Sequence, residues 1–300
     1  MDRLLIFRSG ALGDFLLTIP ILAALRKSAH VTLVTRPSYG KLSWDWELAD
    51  ETLDIDCARW TPLFTASEAV PESLSEWLLG FTAVHAWMTD ADGNFSRHLR
   101  KVHPHSFYLH PPVVAPTGLH ATDQLADGLP QVEFTVAAKL KSTIPPRLAI
   151  HLGSGSSQKN WPVEHWKALL HALASARPEL ALLIITGPAD ETVRAQLPFI
   201  RQSLPTSVTE AHTWPLPALA HALSDCTAYV GHDTGISHLA ALCGLPSLWL
   251  FGPTEPSVWA PRRSNVRVLP APGGNLTALS AAHVFENLTQ LIPTSKLSGP

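Results

Sequence analysis

A chain of 300 residues exceeds the usual size of one hydrophobic core, so two domains are expected. Hydrophobic residues make up 46% and charged residues only 16%, enough apolar material for large buried sheets. A net charge of −3 with 22 Lys and Arg excludes the basic footprint of a nucleic-acid binder or a polybasic membrane patch. No apolar run approaches bilayer length; the longest, around Leu180–Ile185, has the length of a buried strand. Cys57, Cys226 and Cys243 are widely spaced without a CxxC pair, which fits a reducing compartment. Met1-Asp2-Arg3 runs straight into strand and loop with no leader cleavage region. The expected location is therefore the cytoplasm.

In chain order, Leu4–Phe7 is a continuous apolar run, as a parallel strand buried on both faces requires. The loop Arg8-Ser9-Gly10-Ala11-Leu12-Gly13-Asp14 leads to an apolar helix from Phe15 to about Lys27. Pro20 removes a hydrogen bond there and should kink that helix or end its first turn. Val31–Thr35 and Phe81–Met88 read as strands. From Val102 to Pro146 the chain is rich in Pro and His and shows no regular pattern, and Thr143-Ile144-Pro145-Pro146 reads as a linker. Arg147–Leu152 is a strand, followed by the Gly153–Ser157 loop and a helix over Pro162–Ala174 with Glu164 in its first turn. Leu180–Thr186 is a strand, with helices from about Ala189 to Leu197 and near Leu216–Ser224. Tyr229–Pro261 then gives a strand end, the tight loop Gly231-His232-Asp233-Thr234-Gly235 and a short helix through Cys243. Gly244 and Pro246 stop that helix before a strand over Ser247–Phe251. Leu279–Ile292 reads as a terminal helix able to pack back on the first domain. The economical architecture is α/β: two doubly wound, Rossmann-like domains, 1–144 and 145–300, facing each other across a cleft.

Three loops could carry chemistry. Gly10–Asp14 follows the first strand at its C-terminal end, where open α/β sheets place ligands. Asp14 there can cap helical N–H groups or, at a cleft, accept a proton from a substrate hydroxyl. The polar loop Gly153–Asn160 combines backbone N–H groups, the Ser154 hydroxyl and the Lys159 ammonium, which are the parts that neutralise a diphosphate. It lacks the glycine–lysine–Ser/Thr ending of an ATPase loop. Asp190 or Glu191 could hold a ribose, or simply favour a helix dipole as first-turn acids. Thr234-Gly235 opens a helix whose free N–H groups suit a phosphate, and an ordinary capped helix is the alternative.

Other patterns carry less. Asp54-Ile55-Asp56 and Asp90-Ala91-Asp92 match the Asp-x-Asp of metal-dependent sugar transferases, a pattern short enough to arise by chance. Asp90–Asn94 starts like a calcium loop, but Phe95 occupies the glycine position and Lys101 the final acid position. His103, His105 and His110 lack zinc-site spacing and read as a solvated loop.

Taken together, Arg8–Asp14 with Thr18 and Pro20, His151–Pro162 with Glu164 and Trp166, and Val230–Pro256 resemble glycosyltransferase family nine, the ADP-heptose:lipopolysaccharide heptosyltransferases. Asp90–Arg97 resembles a looser counterpart of that family's first-domain segment, whereas Leu152 and Gln158 depart from its pattern. The resemblance implies the GT-B architecture, with donor mostly on the second domain and acceptor on the first. It matches Asp14 to the catalytic base, beside a loop of Gly10, Leu12 and Gly13 near the reaction centre. It matches Lys159 to the donor-phosphate lysine, Asp233, Thr234, Gly235 and His238 to the diphosphate loop, and Glu191 in preference to Asp190 to the ribose acid. The implied reaction is inverting transfer without a metal or other cofactor, from a nucleotide-sugar co-substrate, ADP-linked, to a lipopolysaccharide-core or related glycan or glycolipid acceptor. Contact with the inner face of the cytoplasmic membrane would be peripheral at most. Few basic residues are available for an acidic acceptor: Arg36, Lys41, Arg59, Arg97, Arg100 and Lys101 are the candidates. The alternatives are a transferase using another nucleotide sugar and a nucleotide-sugar-binding protein without transfer activity.

Overall fold

A computed structural model describes residues 1–66, 69–115, 117–136, 146–201 and 207–292. The chain divides into two compact units, Met1–Phe134 and Thr135–Pro300. The linker expected over 143–146, and with it the 144/145 boundary, lies outside the described residues but for Pro146.

The first unit holds five parallel strands, β1 (Asp2–Arg8), β2 (Ala29–Thr35), β3 (Glu51–Asp54), β4 (Ala83–Trp87) and β5 (Phe107–His110), in the order β3-β2-β1-β4-β5. The second holds six, β6 (Arg147–His151), β7 (Ala181–Thr186), β8 (Val208–His212), β9 (Ala228–His232), β10 (Ser247–Phe251) and β11 (Val266–Pro270), in the order β11-β10-β9-β6-β7-β8. Each sheet reverses its winding beside its first strand, at β1/β4 and at β6/β9. Connections leave in opposite directions there and open a crevice at the C-terminal strand ends. Arg8 pairs with Trp87 at the first of these points, and Ile150 with Val230 near the second.

Pro20 acts as expected. The apolar helical stretch is two helices, Leu12–Leu17 and Ile19–Arg26, joined at Thr18, whose hydroxyl donates to the Phe15 carbonyl at 2.6 Å. Neither helix is long enough to be stable alone, so buried side chains hold them. A fully buried Leu or Phe contributes roughly 1.5–3 kcal/mol relative to exposure. The first core gathers Leu5, Phe7, Val34, Trp60, Val84 and Phe95, with the Phe7 ring edge-on to Trp60 and Phe95. The second gathers Leu148, Ile150, Trp166, Leu182, Ile184 and Val230. Helix Ala281–Thr289 adds Val284 and Leu288 to it and lies against helix Val163–Ala176.

Several expectations need correction. The helix expected from Ala189 to Leu197 is broken into a turn, Pro188–Asp190, and helices Glu191–Arg194 and Leu197–Arg201. Asp190 bends its carboxylate back to the Gly187 N–H at 2.7 Å, a turn contact rather than a helical one. Nor do the histidines form a solvated loop. His103 is buried with Nε2 2.9 Å from the Leu78 carbonyl, and His110 lies on β5 between His85 and Asp127, at 3.0 and 3.2 Å; only His105 is exposed. Of the three thiols, Cys57 is exposed, whereas burial pushes Cys226 and Cys243 up to about 12. Among the described residues no helix is long and apolar enough to cross a bilayer.

Candidate active site

In the first unit, β1 ends on Arg8, a cation only 1% exposed. Its guanidinium bonds to main chain through two nitrogens, Nη1 donating to the Pro112 carbonyl at 3.0 Å and Nη2 to the Asp14 carbonyl, while its buried Nε has no hydrogen-bond partner among the described residues. Burial lowers it to about 10. Gly10 turns the chain with φ of +104°, a conformation open to glycine. Its carbonyl accepts the Tyr39 hydroxyl at 3.2 Å, and the Tyr39 ring stacks on Phe15 with centroids 4.6 Å apart. Leu12, Gly13 and Asp14 form the half-buried first turn of the following helix. Asp14 occupies its third position and takes a backbone hydrogen bond from Ala11, which sits at the cap without a capping side chain. That is the acid half of a capping box, so the structural role and a chemical one coexist. Burial raises the Asp14 carboxyl above the usual range, against the opposing pull of Arg8 and of the Ala11 bond. A carboxylate raised in this way is a better proton acceptor.

The second unit gathers its candidate residues at the β6/β9 switch point. Thr234 caps helix Gly235–Leu242, its hydroxyl accepting the Ser237 N–H at 3.4 Å, which leaves Gly235 at the open N-terminal end. Lys159 Nζ lies 3.3 Å from Asp233 Oδ2. Asp233 is thus the partner that orients the lysine, while the ammonium remains about one-third exposed, at 31%. Ser154 Oγ lies 2.7 Å from both the Ser156 carbonyl and Asn160 Oδ1, tying the loop to itself. His238 is buried and edge-on to Trp249, with centroids 4.9 Å apart. Of the two candidate ribose acids, Asp190 is buried, its Oδ2 bound to Gly187 N–H and to His151 Nε2 at 3.1 Å. Glu191 is the solvent-facing acid, its side chain 61% exposed beside Arg194.

Residues not singled out from the sequence hold these second-unit loops together. His232 donates from Nδ1 to the Gly153 carbonyl at 3.1 Å and accepts the Trp161 N–H at Nε2, at 2.9 Å. Those two bonds define its tautomer and its neutrality, and burial lowers it to about 4. Tyr229, wholly buried, reaches Ser237 Oγ at 2.8 Å, and it can do so because Gly231 is glycine: a Cβ there would lie 2.2 Å from the phenol oxygen. The available signal was a polar residue, His151 or His232, at the last position of an otherwise apolar strand.

The Asp-x-Asp segments serve their own turns. Asp54 Oδ1 accepts the Asp56 N–H at 3.0 Å, and Asp90 accepts the N–H groups of Phe95 and Ser96 at 3.2 and 2.8 Å. Arg59 lies over the rings of Trp60 and Trp77, Arg100 lies over Phe107, and Arg97 bonds Asn94. Arg36 and Lys41 line a cavity of about 450 Å³ with exposed Trp44 and the acids Asp45 and Asp54.

The profile of glycosyltransferase family 9 (heptosyltransferase) matches residues 117–288, more than half of the chain. The chain belongs to this family. Lipopolysaccharide heptosyltransferase 1 of Escherichia coli K12 is 31% identical over 168 residues, 54% of this chain and 50% of that protein. The match thus spans half the length of that relative. Among solved structures, E. coli heptosyltransferase WaaC with ADP superposes with a TM-score of 0.71 at 19% identity, covering 96% of this chain and 99% of that one. The family 9 glycosyl transferase from Veillonella parvula gives 0.73 at 19% identity, covering 97% of each. The two Rossmann-like units are accordingly those of a GT-B glycosyltransferase fold. Within the family 9 match lie all the second-unit residues described above; Gly10, Leu12, Gly13 and Asp14 precede it.

Proposed function

We propose that this family 9 member is an inverting glycosyltransferase that moves a sugar, heptose from ADP-heptose, to a lipopolysaccharide-core or related surface-glycan acceptor. The observation that carries the reading is the pairing of a part-exposed ammonium, Lys159, with the open N-terminus at Thr234-Gly235 on one switch point. Both lower the energy of a departing diphosphate, where negative charge develops. A divalent ion would supply the same stabilisation, so the proposed transfer runs without one. Asp14 takes the acceptor hydroxyl proton as that oxygen attacks the anomeric carbon, and Glu191 holds the donor ribose. The heptose and lipopolysaccharide parts draw support from the E. coli relative, a lipopolysaccharide heptosyltransferase, and the ADP part from the WaaC structure with ADP. On the acceptor side, Arg36, Lys41 and Trp44 offer cations and an aromatic face to an acidic sugar.

Calorimetry with ADP, UDP and GDP tests the donor. ADP should bind most tightly, and absence of that preference would remove the ADP-heptose reading. In the same assay Lys159→Ala should weaken ADP binding by about 10- to 100-fold, the equivalent of one charge-assisted contact. An unchanged affinity would contradict the role given to Lys159.

A further inference from the structure

Asp190, His151 and Thr234 come from three separate segments of the second unit and stand in one line. Asp190 Oδ2 is 3.1 Å from His151 Nε2, and His151 Nδ1 is 3.2 Å from Thr234 Oγ1. The acid and the imidazole are 4% and 5% exposed. Around these three residues lie His232, neutral by its two bonds, and the buried Tyr229 phenol, which faces Thr234 and Asp190; Asp233 with its partner Lys159 lies on the far side, beside His232. Burial raises the Asp190 carboxyl, but the His151 and Gly187 hydrogen bonds outweigh it and hold the group below the usual range, so it accepts and does not donate. The proton between the first pair therefore sits on His151 Nε2.

The remaining nitrogen, Nδ1, has two states. In neutral His151 it carries a lone pair, and the Thr234 hydroxyl must donate to it. In the imidazolium it carries a proton, donates to Thr234 Oγ1, and releases the hydroxyl proton for another acceptor. Ser237 Oγ does not compete as a donor to Thr234, because its single proton goes to the His232 carbonyl, and the Tyr229 hydroxyl, which also faces Thr234, gives its proton to Ser237 Oγ at 2.8 Å. The charge state of His151 thus decides whether the residue capping the open helix end shows an incoming anion a proton or a lone pair.

We propose that His151 is a positioning residue that couples nucleotide-diphosphate binding at Thr234-Gly235 to the uptake of one proton from solvent. The inference rests on the reading that the diphosphate of a nucleotide sugar occupies that helix end. An anionic phosphate oxygen accepts from Thr234 only when His151 Nδ1 is protonated, so binding draws a proton from buffer onto Nδ1. The imidazolium then stands between the Asp190 carboxylate and the diphosphate. By linkage, a bound state that holds one more proton than the free state loses affinity as pH rises, by up to tenfold per unit.

The test is calorimetric titration of ADP-heptose, whose phosphates are both esterified and carry no proton near neutrality, into the intact chain at about pH 7.5. Buffers of different ionisation heat are compared. The expected enthalpy varies with the buffer, reporting proton uptake, and the affinity falls as pH rises. His151→Gln should still bind, with an enthalpy independent of buffer and a flat pH profile. A buffer-independent enthalpy in the unaltered chain, or uptake that survives His151→Gln, overturns the proposal. If His151→Gln does not fold, nitrogen chemical shifts of the unaltered chain decide, since uptake at any other histidine also overturns it. Failure of ADP-heptose to bind at any pH is a separate result, which removes the proposed function and this inference with it.

Discussion

Asp14→Asn is expected to lower turnover by about 10²- to 10⁴-fold while nucleotide binding is retained. The amide matches the carboxylate in size and can keep the Ala11 backbone bond as an acceptor, so the loop bounded by Gly10 should hold its shape. What it loses is the ability to take a proton. The residues assigned to the donor, Lys159, Asp233 and Thr234, belong to the second unit, where Lys159 pairs with Asp233 and Thr234 with His151, so ADP affinity should be unchanged. The unaltered protein should carry a matching signature. Because burial raises the Asp14 carboxyl, activity should fall on the acid side at a pH above the ordinary aspartate range, where the base becomes protonated. Steady-state kinetics against pH with calorimetry on the same preparations checks both statements. Full residual turnover in Asp14→Asn would take this residue out of the mechanism. The substitution also removes a charge facing buried Arg8, so a modest loss of stability should accompany it.

Gly153→Ala should cost roughly 3–5 kcal/mol of stability in the second unit and abolish donor binding. The added methyl would lie 1.8 Å from Asp190 Oδ1, 2.4 Å from its Cγ and 2.9 Å from its Cβ. The restriction is contact, since Gly153 is not in the left-handed region. Asp190 cannot swing aside cheaply, because that leaves a buried carboxylate without the Gly187 and His151 partners. The backbone is tethered too, with the Gly153 carbonyl held by His232 at 3.1 Å. Urea unfolding together with ADP titration measures the effect. A fully stable, ADP-binding Gly153→Ala protein would show that the Asp190 contact yields without consequence.

What was legible in the sequence follows strand position. The strands foreseen, around Leu5, Val34, Val84, Ile150, Ile184, Val230 and Leu250, are those buried on both faces, which read as unbroken apolar runs. The four missed, ETLD of β3, FYLH of β5, VTEAH of β8 and VRVLP of β11, are the edge strands of the two sheets, half-exposed and mixed in composition. The same division applies to the site. Gly10, Asp14, Lys159, Thr234 and Gly235 were visible because turn and cap chemistry is local. The links from His151 to Asp190 and to Thr234 span 39 and 83 positions, and that from Lys159 to Asp233 spans 74. No spacing rule covers such distances, so their pairing had to come from the sheet order that brings β6, β7 and β9 together.

The distribution of thiols gives the protein a built-in reporter of its own opening. Cys57 lies in the first unit and is exposed, whereas Cys226 and Cys243 lie in the second and are buried, with thiols pushed up to about 12. An alkylating agent reacts with thiolate, so near neutrality the native chain offers it one site. The other two become available only as the region around helix Gly235–Leu242 opens, Cys243 being the residue that ends that helix. Counting adducts by intact mass therefore times the opening of the segment that carries Thr234 and Gly235, in an unmodified chain and without a spectroscopic label.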